Sequence, residues 1–135
     1  MTDTSPIIRV RFNGILGEFK LDVDFDIPMR GVTGLVGPSG SGKTTILRCI
    51  SGLVRLPGEL IVGDQTWQNG TTFLAPHQRP VGYVFQEASL FAHLSVRNNL
   101  TFGQQRIRKP APIEEIRFDE VVGLLNLERM LDRST

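Results

Sequence analysis

Eight consecutive residues, Gly37-Pro38-Ser39-Gly40-Ser41-Gly42-Lys43-Thr44, constrain this chain more tightly than any other feature of it. They fit Gly-x-x-x-x-Gly-Lys-Ser/Thr at every fixed position, and a chance match at this chain's residue frequencies is on the order of one in a few hundred. The flanks carry the same message. Val32-Thr33-Gly34-Leu35-Val36 is a short β-branched run that reads as a strand. Thr44 to Leu53 places Ile46, Leu47, Ile50 and Leu53 at helical spacing, with Gly52 near the end where a backbone stop is wanted. Strand, glycine-rich loop and helix in that order predict an α/β fold of the phosphate-loop NTPase type.

The chemistry follows from the residue types. Gly37, Gly40 and Gly42 open backbone angles closed to other residues, so successive N–H groups of Gly37 to Thr45 can turn inward around an anion. The positive end of the helix starting near Lys43 adds a favourable field, and its first-turn amides are donors without helical partners. Lys43 can reach the β and γ phosphates of a nucleotide. A charge pair at about 4 Å and an effective dielectric of ~20 is worth about 4 kcal/mol before desolvation. The Thr44 hydroxyl suits a magnesium ion already held by phosphate oxygens. Pro38, Ser39, Ser41 and Thr45 complete the expected nucleotide-binding segment.

The rest of the chain excludes several classes. Lys and Arg number 15 against 14 Asp and Glu, so no basic excess points to nucleic acid. A single thiol, Cys49, cannot form an internal disulfide and reads as packed rather than reactive. No apolar run approaches the ~20 residues of a membrane span, and the first residues lack an export signal, which predicts a cytoplasmic location. No repeat or Gly/Ser/Pro-rich linker divides the 135 residues. Ile7–Phe12 and Leu21–Ile27 alternate apolar with polar and predict a paired antiparallel edge. That alternation puts Asp22, Asp24 and Asp26 on a solvated face rather than around a metal. Glu59–Val62 and Gln65–Gln68 predict a second hairpin about Gly63-Asp64. Val81–Phe85 predicts a strand ending at Gln86, Ser95 an N-cap for a short helix, and Pro112–Leu125 an amphipathic helix with Ile113, Ile116, Val121, Val122 and Leu125 on one stripe.

Gly82-Tyr83-Val84-Phe85-Gln86-Glu87 followed by Leu90-Phe91-Ala92-His93-Leu94-Ser95-Val96-Arg97-Asn98-Asn99-Leu100, together with the phosphate loop, resembles the ATP-binding subunits of ABC transporters. The resemblance implies that Gln86 touches magnesium and the attacking water. A reading of Val81–Glu87 as the Walker B strand with Glu87 as base fails, because the position that needs aspartate carries Gln86. Leu16 to Leu21 running into Val23-Asp24-Phe25, Pro80 to Gln86, and Leu131-Asp132-Arg133 are similar to the branch serving importers of molybdate or a like oxyanion. Sulfate, sugar and polyamine importers, or a soluble ABC ATPase of repair or translation, are the alternatives.

The resemblance further implies Mg-ATP, integral membrane permease subunits, a second ATPase copy, and a place on the inner face of the membrane. It implies that the permease contact falls around Ala88 to Asn99, where Leu90, Phe91 and Leu94 either face that partner or pack internally. Arg97 and the Arg106, Arg108, Lys109 cluster read as solvated charge, and His77 and His93 as surface residues. The family's adenine-stacking aromatic falls near Gly14, which cannot stack; Phe12 and Phe19 are the candidate substitutes. Residues 1–135 correspond to the N-terminal part of such a domain, with its antiparallel subdomain and the start of its helical subdomain. The Leu-Ser-Gly-Gly motif, Walker B strand, general-base glutamate and switch histidine find no counterpart in the sequence. The expectations are nucleotide binding with negligible turnover and exposed apolar faces that behave poorly in solution.

Overall fold

A computed structural model describes residues 6–87, 89–104 and 117–135. The chain divides into two units, Met1–Tyr83 and Val84–Thr135. In the first, β1 (Ile7–Leu16) and β2 (Phe19–Pro28) pair antiparallel, with Val10 opposite Phe25 and Phe12 opposite Val23. The predicted hairpin, β3 (Gly58–Val62) and β4 (Gln65–Gln68), joins the same sheet on the other side of β1, giving the order β2-β1-β3-β4. The first strand is therefore internal rather than part of an isolated edge pair. Its alternation still sorts the faces.

Val10, Phe12, Leu21, Leu60 and Trp67 form one core with Ile46 and Cys49 of α1 (Lys43–Ile50) and with Leu56. On the opposite face Arg11 pairs with Asp24 at 3.0 Å and Glu59 at 3.2 Å, and Arg9 with Asp26 at 3.4 Å. Two of the three aspartates thus answer cross-strand arginines, a sharper role than solvation alone. The Asp24 carboxylate, by hydrogen bond and charge, raises the Arg11 guanidinium above its ordinary value.

Two predicted strands do not form. Val32–Val36 and Val81–Phe85 carry strand-type side chains, but neither segment is a strand or joins the four-stranded sheet. Side-chain propensity alone does not make a strand. Val32, Val36 and Val84 are accordingly almost wholly exposed. The phosphate-loop helix is also shorter than its apolar pattern suggests: it ends at Ile50, and Leu47 and Leu53 face outward.

In the second unit the Ser95 hydroxyl caps α2 (Val96–Thr101), accepting from the Asn98 amide at 3.3 Å. Asn99 secures the preceding loop: it accepts from the Phe91 amide at 2.8 Å and donates to the carbonyls of Phe91, Leu94 and Ser95. Helix α3 (Phe118–Leu124) buries Val122, part of the predicted stripe. Ile113, Ile116 and the Arg106, Arg108, Lys109 cluster lie outside the described residues. No described helix is long and apolar enough to cross a membrane.

Candidate functional site

The loop between Gly37 and Gly42 is built around the ammonium of Lys43. Its Nζ donates to the carbonyls of Gly37 at 2.8 Å and Pro38 at 2.6 Å, and to the Ser41 hydroxyl at 3.4 Å. Three acceptors match the three donors of the ammonium, so the side chain folds back over the loop rather than trailing into solvent. A turn from the Ser41 amide to the Pro38 carbonyl at 3.3 Å closes the circle.

Gly42 makes the entry into α1. It takes φ 90°, caps the helix, and lies so close to β2 that a Cβ there would sit 2.7 Å from Phe19 Cζ and 3.1 Å from Leu21 Cδ1. Gly40 also uses the left-handed region, whereas Gly37 does not; a Cβ at Gly37 would instead press on the Ser41 hydroxyl at 2.9 Å. Two of the three glycines thus serve the predicted backbone freedom and the third serves close approach. No side chain caps the first turn of α1, and the amides of Lys43, Thr44 and Thr45 meet no acceptor among the described residues. Ser39 and Thr44 are exposed, and Thr45 is half-buried. The arrangement presents free N–H donors, a positive helix end and an ammonium to one place, which suits an anion carrying several oxygens.

The other predicted residues separate cleanly. Gln86 is exposed at a bend in the second unit. Phe12 is only 1% exposed in the sheet core, so it cannot stack on a base. Phe19 is half-buried with its ring against Gly42. A side chain at Gly14 would run into Leu56 Cδ2 at 2.9 Å and Pro57 Cδ at 3.0 Å. His77 and His93 are exposed, as expected. In the Ala88–Asn99 segment, Leu90 is exposed, and Phe91, itself partly exposed, packs on Phe102 with ring centroids 4.2 Å apart. Ala88 lies outside the described residues. Arg97 faces Asp132 at 3.6 Å on the surface.

Sequence reasoning missed Arg79. It is 4% exposed, and its fork ends the phosphate-loop helix: Nη1 donates to the carbonyls of Cys49 at 2.9 Å and Ile50 at 2.7 Å, and Nε to Leu74 at 2.8 Å. Gly52, at φ 80°, lets the chain pass flat against the guanidinium; a Cβ there would sit 2.8 Å from Cζ and Nε. Burial lowers the Arg79 guanidinium from its ordinary value, and the same burial pushes the Cys49 thiol up to about 11. The signal available in the sequence was an arginine set between Pro76 and Pro80 after the aromatic residues Trp67 and Phe73.

A family model for the ABC transporter matches residues 21–135, and the chain belongs to that family. It is 54% identical over 132 residues to the molybdenum import ATP-binding protein ModC of Rhodopseudomonas palustris (strain ATCC BAA-98 / CGA009), covering 97% of this chain and 35% of that protein. With ModC of Rhodobacter capsulatus it is 55% identical over 130 residues, covering 96% of this chain and 35% of that protein. With ModC of Pseudomonas aeruginosa the identity is 46% over 129 residues, covering 93% and 35%. The chain spans about a third of the length of these relatives.

Proposed function

We propose that residues 1–135 are the nucleotide-binding part of an ATPase subunit that couples ATP binding and hydrolysis to import of an oxyanion, molybdate in the first instance. One observation carries the nucleotide reading: the Lys43 ammonium sits within the loop beside first-turn amides that have no acceptor among the described residues. The names of the relatives support the solute, since each is described as a molybdenum import ATP-binding protein.

In this reading Gly37 to Thr45 hold the triphosphate, with Lys43 exchanging loop carbonyls for phosphate oxygens. The residues suit a magnesium ion carried in with the nucleotide, because Thr44 offers an exposed hydroxyl and the loop brings no carboxylate of its own. Thr44 would hold it, with Gln86 the second ligand that the family resemblance implies, and the ion would supply charge neutralisation to the phosphates. Phe19, whose ring lies against Gly42, is the candidate contact for the base. The working partners are integral membrane permease subunits and a second ATPase copy, on the cytoplasmic face of the membrane. No apolar run in these 135 residues ends in Asp-Glu, so binding without steady turnover is the behaviour inferred for them alone.

Titration with Mg-ATP tests the reading. Saturable binding to the protein that is lost in Lys43→Ala supports it, and equal binding by both proteins contradicts it.

A further inference from the structure

We propose that Arg79 is a positioning residue for nucleotide binding: it fixes the far end of α1 and thereby keeps Lys43 and Thr44, at the near end, aimed at the loop. The proposal rests on the nucleotide reading of that loop.

A guanidinium is costly to bury, and no described carboxylate lies within ion-pair distance of this one. A methionine or leucine would fill the same space without that cost. What the fork supplies instead is a fixed geometry. Its Nη1 and Nε meet carbonyls on two separate stretches of chain, the end of α1 and Leu74 beyond β4, while Nη2 is buried with no partner among the described residues. The negative end of the helix dipole takes the place of a counter-ion. Phe73 and Trp67 lie 5.0 and 5.9 Å from the guanidinium carbon, on the ring side, and favour the cation further.

The helix so held is eight residues long. At about 1.5 Å per residue it spans ~12 Å, and so short a helix has little stability of its own. Its direction is set by Ile46 and Cys49 in the sheet core and by what holds its two ends. At one end Gly42 presses on Phe19 and Leu21; at the other Arg79 holds Cys49 and Ile50, with Gly52 shaped to admit it. Freeing the second end lets the axis tilt, and a tilt moves the amides and the ammonium at the first.

The test compares Arg79→Met and Arg79→Lys with the parent protein by calorimetric titration of Mg-ATP, with circular dichroism and urea midpoints recorded on the same samples. Arg79→Met is expected to raise Kd at least ten-fold, with the number of sites near one per chain. Arg79→Lys is expected to fall between, because an ammonium has no fork to span the three carbonyls. A purely structural role moves different quantities. Unfolding alone gives a ten-fold rise only when about nine-tenths of the molecules are unfolded, which circular dichroism registers at once. A folded Arg79→Met that binds as tightly as the parent overturns the proposal and leaves the nucleotide reading intact. Should Arg79→Met not fold, Arg79→Lys decides alone: several-fold weaker binding supports the proposal and unchanged Kd overturns it. Absence of binding by the parent removes the nucleotide reading itself, a result distinct from either.

Discussion

At the scale of single residues, the loop works because side chains that look incidental to it hold its two borders. Gly42 touches Phe19 so closely that the smallest side chain has nowhere to go. Gly42→Ala is expected to cost roughly 1–2 kcal/mol from the left-handed backbone alone, with further loss from contact with the ring. Adding Phe19→Ala should relieve the steric part and leave the backbone part, so a urea-midpoint cycle of the two substitutions should show coupling. Additive effects would place the ring elsewhere. Lys43→Ala has a different signature. It removes a half-buried ammonium that, among the described residues, bonds to loop acceptors alone, so stability should change little while Mg-ATP affinity falls ten-fold or more. The loop motif was legible because its chemistry is written in adjacent positions. Arg79 was not, since its partners at Cys49 and Ile50 lie 30 and 29 residues away and no local pattern announces them.

At the scale of elements, α1 and the four-stranded sheet share one core, and Cys49 lies at their contact. Burial raises its thiol from an ordinary 9.0 to about 11, with the Arg79 charge opposing. The unfolded chain therefore loses this proton first as pH rises. Its contribution to stability is complete below pH 9, declines above it, and is gone past about 11. Urea midpoints of the parent and Cys49→Ala should keep a constant difference up to about pH 8.5 and shift against the parent beyond it; a constant difference through pH 11 would show that the thiol is not buried as described. Alternation made β1 to β4 readable, because period-two patterning and the Gly63-Asp64 turn are local signals. Val32–Val36 and Val81–Phe85 misled for a physical reason. A strand is a property of a ladder, and side-chain type says nothing about whether a segment joins one.

At the scale of the whole molecule, the same two segments place Val32, Val36 and Val84 in water. Apolar, β-prone side chains exposed in this way favour association between copies. Sedimentation velocity should show concentration-dependent growth in size that Val36→Thr together with Val84→Thr reduces. A monomer at all concentrations would mean that these segments are covered. Family membership was legible from the phosphate loop with the Gly82–Glu87 and Leu90–Leu100 passages, which a family match over residues 21–135 supports independently. The division into two units was not, because no linker composition marks the boundary at Tyr83 and Val84.

The central claim is that the backbone from Gly37 to Thr45 receives the phosphates of a nucleotide under the Lys43 ammonium. Amide chemical-shift mapping of the folded protein during titration with Mg-ATP tests it most directly. Saturable shifts concentrated at those amides and abolished by Lys43→Ala are expected; amides left unmoved there, or moved equally in the variant, would contradict nucleotide binding at this loop.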